Sequence, residues 1–549
     1  MKDEFNGNLK LADVSISRAL KNTAEKHPRN TAITFMNKSF SYKVLGKKIA
    51  KLSEALCFCG VKEGDRVLVA LPNIPQAVFA LYALNNIGAV GVFVSPLSAG
   101  EELRHYINKC RCKHAFVLDS VFAKNADVLS ELKVITTSPV DELGFLSRSV
   151  YKFSNPSVKT KAIAYKSLMS ENYPKATEVD SKADDTAVVL FSGGTTGTPK
   201  AVEITNLNLN ALAVGTEIAC GRKVRESSML SVLPIFHGFG LGICIHTILF
   251  FGGNTLLLPR FNKETAAKVI ADYKPQYIAA VPSMLEPLMT AKALQKADLS
   301  FIDGVFSGGD SLSEILRLKF DKFLKDRGAN VKVRQGYGAT ECVAAVCLMP
   351  DNTERPESVG LAYPDTRIKI MATEQREADV LETGEIYISS KTLMKGYFDD
   401  KAETEKVLFA DTNGKVWLRT GDAGYKDAEG FVYFKQRLKR LIITNGNNVF
   451  PSEIEKALLT HPEVSECCAV GVKDDEKISA VAVFVALKNP AESETSEAVL
   501  KAQLTEHLEK FVSKIARPKY IFFMERLPKT HLGKIAFCEL QRIADDNVN

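Results

Sequence analysis

In the N-terminal part of the chain, short apolar runs typical of buried strands alternate with stretches whose apolar positions fit helices. Residues 65–71 predict a strand, residues 74–87 a helix, and residues 89–94 a second strand. This order is typical of a parallel sheet with helical crossovers. Further strands are predicted at residues 187–190, 255–258, 277–281 and 304–307. The pattern therefore predicts an α/β fold.

From residue 360 to residue 435 the pattern changes to an alternation of apolar and polar positions with period two. The runs TRIKIM at 366–371 and GEIYIS at 384–389 show this alternation. Because successive side chains of a strand point to opposite faces, alternation is typical of antiparallel strands with one buried face. We therefore predict a smaller, largely antiparallel β unit here.

Beyond Arg437 the pattern predicts a compact tail, with a helix at 452–461 and strands at 468–472 and 481–487. Ser452 is the expected N-cap of the helix, and Glu455 three residues later completes a capping box. The predicted organisation is a large N-terminal domain of stacked α/β subdomains plus the small β unit (1–436), a connection at 437–440, and a small α+β C-terminal domain (441–549).

One segment, residues 227–259, contains no Asp, Glu, Lys or Arg and is long enough to span a membrane. Pro234, His237, several glycines and a Gly-Gly-Asn turn at 252–254 divide it into short pieces. Buried strands and a helix of an α/β core fit this pattern better. Residues 1–20 are charged and lack the apolar stretch of a secretory signal. We expect a cytoplasmic protein without a transmembrane segment.

Composition narrows the classes of function. The chain is 46% hydrophobic and 25% charged, which is average for a globular protein and excludes a disordered or fibrous one. The net charge of +6 suits a phosphate-bearing ligand, whereas a nucleic-acid partner would require a clustered basic face, so none is expected. The eleven cysteines are irregularly spaced and are expected to be reduced and buried.

Candidate chemistry is densest in FSGGTTGTPK, residues 191–200, directly after a predicted strand. Glycines let the backbone turn tightly so that amide groups can converge on an anion, while hydroxyl groups and a lysine add further donors. The residues of this predicted phosphate loop are Ser192, Gly193, Gly194, Thr195, Thr196, Gly197, Thr198 and Lys200. It is not a Walker motif, because Pro199 precedes the lysine. The alternative is a plain surface loop.

Four further motifs follow in order: QGYGATE at 335–341, LRTGD at 418–422, QRLKRLI at 436–442 and PKTHLGKI at 528–535. With the phosphate loop, they make the chain resemble the adenylate-forming superfamily, which includes acyl-CoA synthetases, aryl-CoA ligases, luciferases and adenylation domains. The resemblance extends from about Ser15 to Leu540. It implies an AMP-binding N-terminal domain and a small mobile C-terminal lid.

The resemblance also implies roles in nucleotide binding. Glu341 would hold Mg²⁺, which binds nucleotide phosphates together with one or two carboxylates, and Thr340 would lie near the α-phosphate. Tyr337 would stack on adenine. Asp422 would accept the two ribose hydroxyl groups, assisted by Arg437. The other residues implied to bind nucleotide are Gly309, Asp310 and Gly338, with Ser311 replacing the usual proline after Asp310.

Catalysis would depend on the C-terminal lid. Lys534 would stabilise the charge that develops when a carboxylate attacks the α-phosphate. Lys439 occupies the hinge position about which the lid rotates after adenylation, and Gly446 lies in the loop implied to approach the pantetheine arm of CoA. Gln436 stands where the family commonly has glycine before the arginine, and Gly193 replaces a frequent serine. The predicted catalytic residues are Lys534, His237, Thr195 and Glu341.

The acyl side is predicted around LPIFHGFG, residues 233–240. His237 matches a gating position of the family, and the alternative is a histidine packed in the core. Gly238, Phe239, Gly240 and Leu241 would line the pocket, with Ser307, Gly308 and Gly336 opposite. The acidic residue with which amino-acid-activating relatives bind an ammonium group is missing from residues 242–249. A hydrophobic monocarboxylic acid is therefore expected.

The resulting hypothesis is an AMP-forming acid–CoA ligase that uses ATP, Mg²⁺ and coenzyme A. The main alternative is a freestanding adenylating enzyme that loads an acyl carrier protein. A luciferase-like oxygenase shares the motifs. A non-catalytic nucleotide-binding protein is disfavoured, because Lys534, Glu341 and Asp422 are all present.

Overall fold

The computed structural model describes residue 11 and residues 13–143, 162–192, 199–221, 223–351, 353–444, 447–474, 478–488, 497–529 and 535–548. The chain forms two compact units. The first comprises residues 1–193, 199–368 and 388–418, and the second comprises residues 194–198, 369–387 and 419–549. The boundaries of these units, which follow from packing, do not coincide with the predicted end of the N-terminal domain at residue 436. The predicted hinge at 437–440 concerns a movement and stays a prediction.

The first unit contains a nine-stranded sheet. With strands numbered β1 to β28 in chain order, its members are β1 (Thr31–Phe35), β2 (Lys38–Ser41), β10 (Ser228–Ser231), β11 (Asn254–Leu257), β12 (Tyr277–Ala280), β13 (Gly304–Ser307), β14 (Val333–Gly338), β15 (Ala345–Leu348) and β16 (Leu361–Ala362). The order is β16-β15-β14-β13-β12-β10-β11-β1-β2. The central strands from β14 to β1 are parallel. The strands predicted at 255–258, 277–281 and 304–307 are confirmed.

An eight-stranded sheet forms the other sheet of this unit. Its members are β3 (Arg66–Ala70), β4 (Val90–Phe93), β5 (His114–Leu118), β6 (Lys133–Thr137), β7 (Ile163–Ala164), β8 (Thr186–Ser192), β9 (Lys200–Thr205) and β20 (Gly396–Tyr397). The order is β20-β9-β8-β4-β3-β5-β6-β7, with β9 antiparallel to both of its neighbours. The predicted strand–helix–strand unit is confirmed as β3, the helix Pro75–Asn86 and β4.

Helices cover the sheets of the first unit. They are Ile16–Lys26, Tyr42–Phe58, Pro75–Asn86, Gly100–Cys110, Asp119–Lys124, Ala126–Leu129, Tyr165–Leu168, Asn206–Ala219, Ile248–Phe250, Lys263–Tyr273, Pro282–Thr290, Glu314–Lys325 and Lys401–Val407, with 3₁₀ turns at Lys292–Leu294 and Thr340–Cys342. Pro75–Asn86 is buried along almost its whole length and belongs to the largest hydrophobic core. An apolar helix buried on all sides is typical of a layer inside an α/β protein.

The charge-free segment contains β10, β11 and, between them, a π-helix at Phe239–Thr247. Leu241, Cys244 and Ile245 of the π-helix are fully buried. This agrees with the expected core segment, although the π-helical winding was not predicted. Among the described residues, no helix combines the length and hydropathy needed to cross a membrane.

The second unit begins with the predicted antiparallel strands. Wholly or for the most part in this unit are β17 (Arg367–Thr373), β18 (Arg376–Glu377), β19 (Gly384–Ser389), β22 (Val416–Lys426) and β23 (Val432–Arg437), whereas β21 (Leu408–Ala410) belongs to the first unit. β17 pairs antiparallel with β18, and β22 with β23. The period-two runs at 366–371 and 384–389 are thus confirmed as strands.

The C-terminal part of this unit contains β24 (Ile442–Thr444), β25 (Asn447–Val449), β26 (Val464–Asp474), β27 (Ile478–Leu487) and β28 (Tyr520–Phe523), with helices Pro451–Leu459, Glu497–Glu509 and Phe537–Val548 and 3₁₀ turns at Leu438–Arg440 and Lys514–Ala516. The predicted capping box is wrong. The N-cap is Phe450, and the Ser452 amide donates instead to Gln436 Oε1 at 3.3 Å. A backbone amide at the start of this helix is therefore hydrogen-bonded by a side chain that is distant in sequence.

Candidate active site

The two ends of the predicted phosphate loop lie side by side on adjacent antiparallel strands. Ser192 is the last residue of β8, Lys200 is the first of β9, and their Cα atoms are register partners. The loop is therefore anchored at both ends to the eight-stranded sheet. Gly193, Gly194, Thr195, Thr196 and Gly197, with Thr198, lie outside the described residues.

Among the residues that the structure describes, Lys200 contacts two side chains of one distant segment. Its Nζ atom lies 2.5 Å from Glu403 Oε2 and 4.6 Å from the ring centroid of Tyr397. The first contact is a charge-assisted hydrogen bond, and the second is a cation–π interaction. The predicted phosphate-binding cation is thus held by a carboxylate and an aromatic face.

Tyr397 also contacts the predicted metal ligand. Its hydroxyl group donates to Glu341 Oε1 at 3.0 Å, and the Met394 amide donates to the Glu341 carbonyl at 2.8 Å. Glu341 and Thr340 lie on the 3₁₀ turn that follows β14. The structure therefore joins Lys200 and Glu341, which are distant in sequence, through a single tyrosine.

The carboxylate of Glu341 provides the kind of oxygen ligand that suits a Mg²⁺ ion shared with a nucleotide. Its second oxygen, Oε2, accepts no hydrogen bond from any described residue. The described residues contain no cluster of three or more His, Cys, Asp or Glu side chains that could hold an ion alone. Because Mg²⁺ in proteins is commonly held by one or two carboxylates plus phosphate oxygens, one glutamate here is sufficient.

The residues predicted to bind adenine lie at the ends of β13 and β14. Gly309 has a φ of +80°, in the left-handed region that favours glycine. Asp310 is exposed, and its carboxylate accepts from the Ser311 amide at 2.8 Å. The side chain of Tyr337 is largely buried, and its stacking role stays a prediction. A Cβ atom at Gly338 would lie 1.6 Å from the Ala344 carbonyl oxygen, so only glycine fits there.

Asp422 and Arg437 are brought together in the second unit. They are register partners on β22 and β23, and Arg437 Nε lies 2.9 Å from Asp422 Oδ1. Asp422 is 1% exposed, so its carboxylate is neutralised by a partner rather than by water. The structure thus brings together the two residues that the sequence analysis predicted to bind the ribose.

Glu385 and Ile386, which the sequence analysis did not identify as site residues, hold the turn before Asp422 by accepting hydrogen bonds. The Gly421 amide donates to Glu385 Oε1 at 2.9 Å, and the Thr420 hydroxyl donates to the Ile386 carbonyl at 2.7 Å. Burial is the main cause that raises the pKa of the Glu385 carboxyl, with Asp422 adding to it. No motif identified Glu385, because it is the pairing of β19 with β22 that brings its side chain to this turn.

Lys439 lies exposed on the 3₁₀ turn Leu438–Arg440, which follows β23. Gly446 and Lys534 lie outside the described residues. Near Lys534, Ile535 pairs with Lys529 in an antiparallel bridge. The roles of these residues stay predictions.

The predicted acyl-side residues meet around Val343. Its φ is +64°, which strains a β-branched residue. A Cβ atom at Gly238 would lie 1.4 Å from the Val343 carbonyl oxygen, and one at Gly242 would lie 3.2 Å from Val343 Cγ1. The turn that carries Glu341 is therefore pressed against the start of the π-helix. His237 is half-buried directly before Gly238, and its gating role stays a prediction.

Opposite this contact, the ends of β13 and β14 lie near Phe239. A Cβ atom at Gly308 would lie 3.5 Å from Phe239 Cε1 and 3.3 Å from the Gly336 carbonyl oxygen. Ser307 is 1% exposed, and its hydroxyl has no hydrogen-bond partner among the described residues. The two glycines thus allow the ends of β13 and β14 to lie close to each other and to an aromatic ring.

Comparison with known proteins identifies the family of the chain. Residues 20–398 match the family model of the AMP-binding enzyme, and residues 453–534 match that of the AMP-binding enzyme C-terminal domain. The chain therefore belongs to the AMP-binding enzyme family, in the acyl-CoA synthetase branch of the adenylate-forming superfamily. The expected class of enzyme, an AMP-forming acid–thiol ligase, is confirmed.

Curated relatives cover nearly the whole chain. The chain is 32% identical over 550 residues to a long-chain-fatty-acid–CoA ligase of Bacillus subtilis, covering 96% of this chain and 94% of the relative. It is 30% identical over 525 residues to the 4-coumarate–CoA ligase-like 2 protein of Arabidopsis thaliana, covering 93% of this chain and 87% of the relative.

Solved structures share the fold. ATP-bound MatB from Rhodopseudomonas palustris has a TM-score of 0.82 at 23% identity, covering 98% of this chain and 100% of that one. The anthranilate CoA ligase AuaEII with anthranoyl-AMP has a TM-score of 0.82 at 21% identity, covering 98% and 99%. At this identity the similarity establishes the predicted architecture.

Proposed function

We propose that this protein is an ATP-dependent acid–CoA ligase that activates a hydrophobic monocarboxylic acid, fatty or aryl, through an acyl-adenylate. The observation that carries the proposal is the meeting of Lys200 and Glu341 at Tyr397. A cation and a metal-binding carboxylate at one point suit a magnesium-bound triphosphate. Bound Mg²⁺, held by Glu341 together with phosphate oxygens, would neutralise phosphate charge.

In the first half-reaction, a carboxylate oxygen of the acid attacks the α-phosphorus of ATP, and pyrophosphate leaves with the electrons of the broken P–O bond. The hydroxyl and amide groups of residues 192–198, including Thr195, would bind the phosphates with Lys200. Lys534 would stabilise the charge on the α-phosphate, and Asp422 would fix the ribose. Positioning and charge stabilisation together account for the rate.

In the second half-reaction, the CoA sulfur attacks the acyl carbonyl carbon, and AMP leaves with the electrons of the C–O bond. The thiol proton is lost to solvent. We place the pivot for the change between the two half-reactions at residues 437–440, around Lys439. Gly446 would approach the pantetheine arm, and His237 would gate the acyl site. A few residues at an element boundary can absorb such a rotation.

The apolar surroundings of the acyl side support a hydrophobic acid. Phe239 lies near the strand ends at Gly308 and Gly336, and the buried Ser307 hydroxyl directly precedes Gly308. A pocket lined by apolar groups with few polar ones favours an uncharged acyl chain or ring. The two curated relatives are named for a long-chain fatty acid and for 4-coumarate, so both chemical types are candidates.

The test is a panel of fatty and aromatic acids offered with ATP, Mg²⁺ and CoA. We expect AMP and pyrophosphate to be released with hydrophobic acids, and AMP turnover to require CoA. If a phosphopantetheinylated carrier protein supports turnover and CoA does not, the enzyme loads a carrier instead. If no acid stimulates AMP release, the proposal is wrong.

A further inference from the structure

The segment Gly396–Val407 presents two side chains to the predicted triphosphate site, and no motif identified either of them. Gly396 and Tyr397 pair antiparallel with Glu203 and Val202 of β9, the strand that begins at Lys200. The helix Lys401–Val407 follows directly and carries Glu403. Strand pairing thus aligns Tyr397 and Glu403 with the end of the phosphate loop.

This segment is fixed by contacts that do not involve Lys200. Lys109 Nζ lies 3.6 Å from Asp400 Oδ2, and Arg111 forms an ion pair with Asp399. The Asp400 side chain accepts from the Glu403 amide at 3.2 Å and caps the helix. Within the segment, the Tyr397 amide donates to Thr404 Oγ1 at 2.9 Å. The position of Glu403 is therefore set by the fold and not by its partner lysine.

Glu403 is an ionised partner for Lys200. Its Oε2 atom lies 2.5 Å from Lys200 Nζ, and its Oε1 atom bonds to Lys406. The hydrogen bond from Lys200, followed by that from Lys406, lowers the pKa of Glu403 to about 2. The carboxylate therefore carries a full negative charge at neutral pH, directly beside the cation predicted to bind phosphate.

A lysine paired in this way cannot give its charge fully to a triphosphate while the pair lasts. A bound nucleotide brings several phosphate charges, which attract Lys200 and repel Glu403. Both effects favour breaking the pair when ATP binds and restoring it when pyrophosphate leaves. The ring of Tyr397 lies 4.6 Å from Lys200 Nζ and provides a cation–π contact in addition to the ion pair.

We propose that Glu403 is a positioning residue that acts as the counter-ion of Lys200 in the absence of nucleotide and releases Lys200 to the phosphates of ATP and pyrophosphate when they bind. This inference rests on the proposed function, because it needs a triphosphate at the loop. It adds a residue that touches no reacting atom but sets the affinity for nucleotide and for the leaving group.

The test compares Glu403→Gln with Glu405→Gln. Glu405 lies on the same helix and pairs only with Lys401, at 3.6 Å, among the described residues. Binding of MgATP and of magnesium pyrophosphate is measured by calorimetry without acid, so that the identity of the acid does not matter. We expect Glu403→Gln to bind both ligands about 2- to 5-fold more tightly, as for the loss of a partly exposed ion pair, and Glu405→Gln to match the wild type.

A double-mutant cycle assigns the effect to Lys200. In a Lys200→Gln background, the added Glu403→Gln change should alter affinity by less than about 2-fold, because there is no pair to exchange. Glu403→Asp keeps the charge and should remain closer to the wild type than Glu403→Gln. If Glu403→Gln is misfolded by circular dichroism, the same cycle is run with Glu403→Asp, whose shorter reach should give a smaller tightening in the same direction.

Weaker or unchanged binding in Glu403→Gln, or an equal effect in the absence of Lys200, would overturn the inference while leaving the proposed function intact. If the wild-type protein binds neither MgATP nor magnesium pyrophosphate, the proposed function itself fails. The two failures are therefore distinguishable.

Discussion

The hydroxyl group of Tyr397 donates to Glu341 Oε1 at 3.0 Å while the ring of the same tyrosine lies 4.6 Å from Lys200 Nζ. One side chain thus positions a carboxylate on the 3₁₀ turn after β14 and a cation at the start of β9. Because a hydrogen bond to one oxygen orients the carboxylate, it also directs the second oxygen of Glu341, which would make Tyr397 a positioning residue for the Mg²⁺ that Glu341 is predicted to bind.

Replacing Tyr397 by Phe should raise the Mg²⁺ concentration needed for half-maximal rate by about 5-fold, the equivalent of one lost hydrogen bond of about 1 kcal/mol. The ring under Lys200 is kept, so we expect the Michaelis constant for the acid to change little. Initial rates at varied Mg²⁺ and saturating ATP measure the effect. Tyr273→Phe is the control, since it removes an exposed hydroxyl that bonds to the Met36 carbonyl. Equal Mg²⁺ curves for the wild type and Tyr397→Phe would contradict this role.

Asp422→Asn should remove the preference for the ribose 2′-hydroxyl group. We expect the wild type to favour ATP over 2′-deoxy-ATP by about 10-fold or more, because a hydrogen bond to a charged group is worth about 1.5–3 kcal/mol. In the variant this ratio should fall to about 2-fold, because a neutral amide accepts a weaker bond. Competition between the two nucleotides measures the ratio directly. An unchanged ratio would mean that Asp422 serves only to pair with Arg437.

Gly238→Ala should disturb both the acyl side and the turn of Glu341. The new Cβ atom would lie 1.4 Å from the Val343 carbonyl oxygen, so the backbone must shift. We expect a loss of about 1–3 kcal/mol in the free energy of unfolding, as for other overpacked sites, and a higher Michaelis constant for the acid.

The matched control is Gly46→Ala, in the helix Tyr42–Phe58. A Cβ atom at Gly46 would meet nothing within 4 Å. Since alanine is the better helix former, this change should stabilise the protein by about 0.5–1 kcal/mol. Thermal unfolding followed by circular dichroism compares the two variants. If Gly238→Ala is as stable as the wild type, the close contact with Val343 is not needed for the fold.

Lys534→Ala should lower the rate of adenylate formation by about 10²–10³-fold, the range for the loss of one group that stabilises transition-state charge. Transfer of the acyl group from synthetic acyl-AMP to CoA should continue, because the predicted role of the lysine is confined to the first half-reaction. The control is Lys529→Ala, which removes a nearby lysine that pairs with Glu466. If adenylation continues and transfer fails, the assignment of Lys534 is wrong.

The sequence predicted elements best where the pattern is local. The run at 304–307 has the same bounds as β13, and the period-two run at 384–389 has those of β19. In these runs the apolar residues are buried, so the local pattern of apolar positions is enough to predict the strand. The π-helix Phe239–Thr247 could not be predicted in the same way, because its residues are almost all apolar and buried and show no periodicity that separates one winding from another.

Contacts between distant segments were beyond the sequence interpretation. Ser452 was expected to cap its own helix, yet the acceptor for its amide is Gln436, sixteen positions earlier. Tyr397 and Glu403 lie about two hundred positions from Lys200 and meet it because β20 pairs with β9. Sequence motifs identify the side chains that contact a ligand. The residues that orient those side chains are brought into position by strand pairing.

The central claim, acyl transfer through an adenylate, is tested most directly by mass spectrometry of a single-turnover mixture. The enzyme, ATP, Mg²⁺ and a hydrophobic acid without CoA should give enzyme-bound acyl-AMP and free pyrophosphate in equal amounts. Addition of CoA should then convert the acyl-AMP to acyl-CoA and AMP. Formation of ADP, or acyl-CoA produced with no acyl-AMP formed beforehand, would contradict the account.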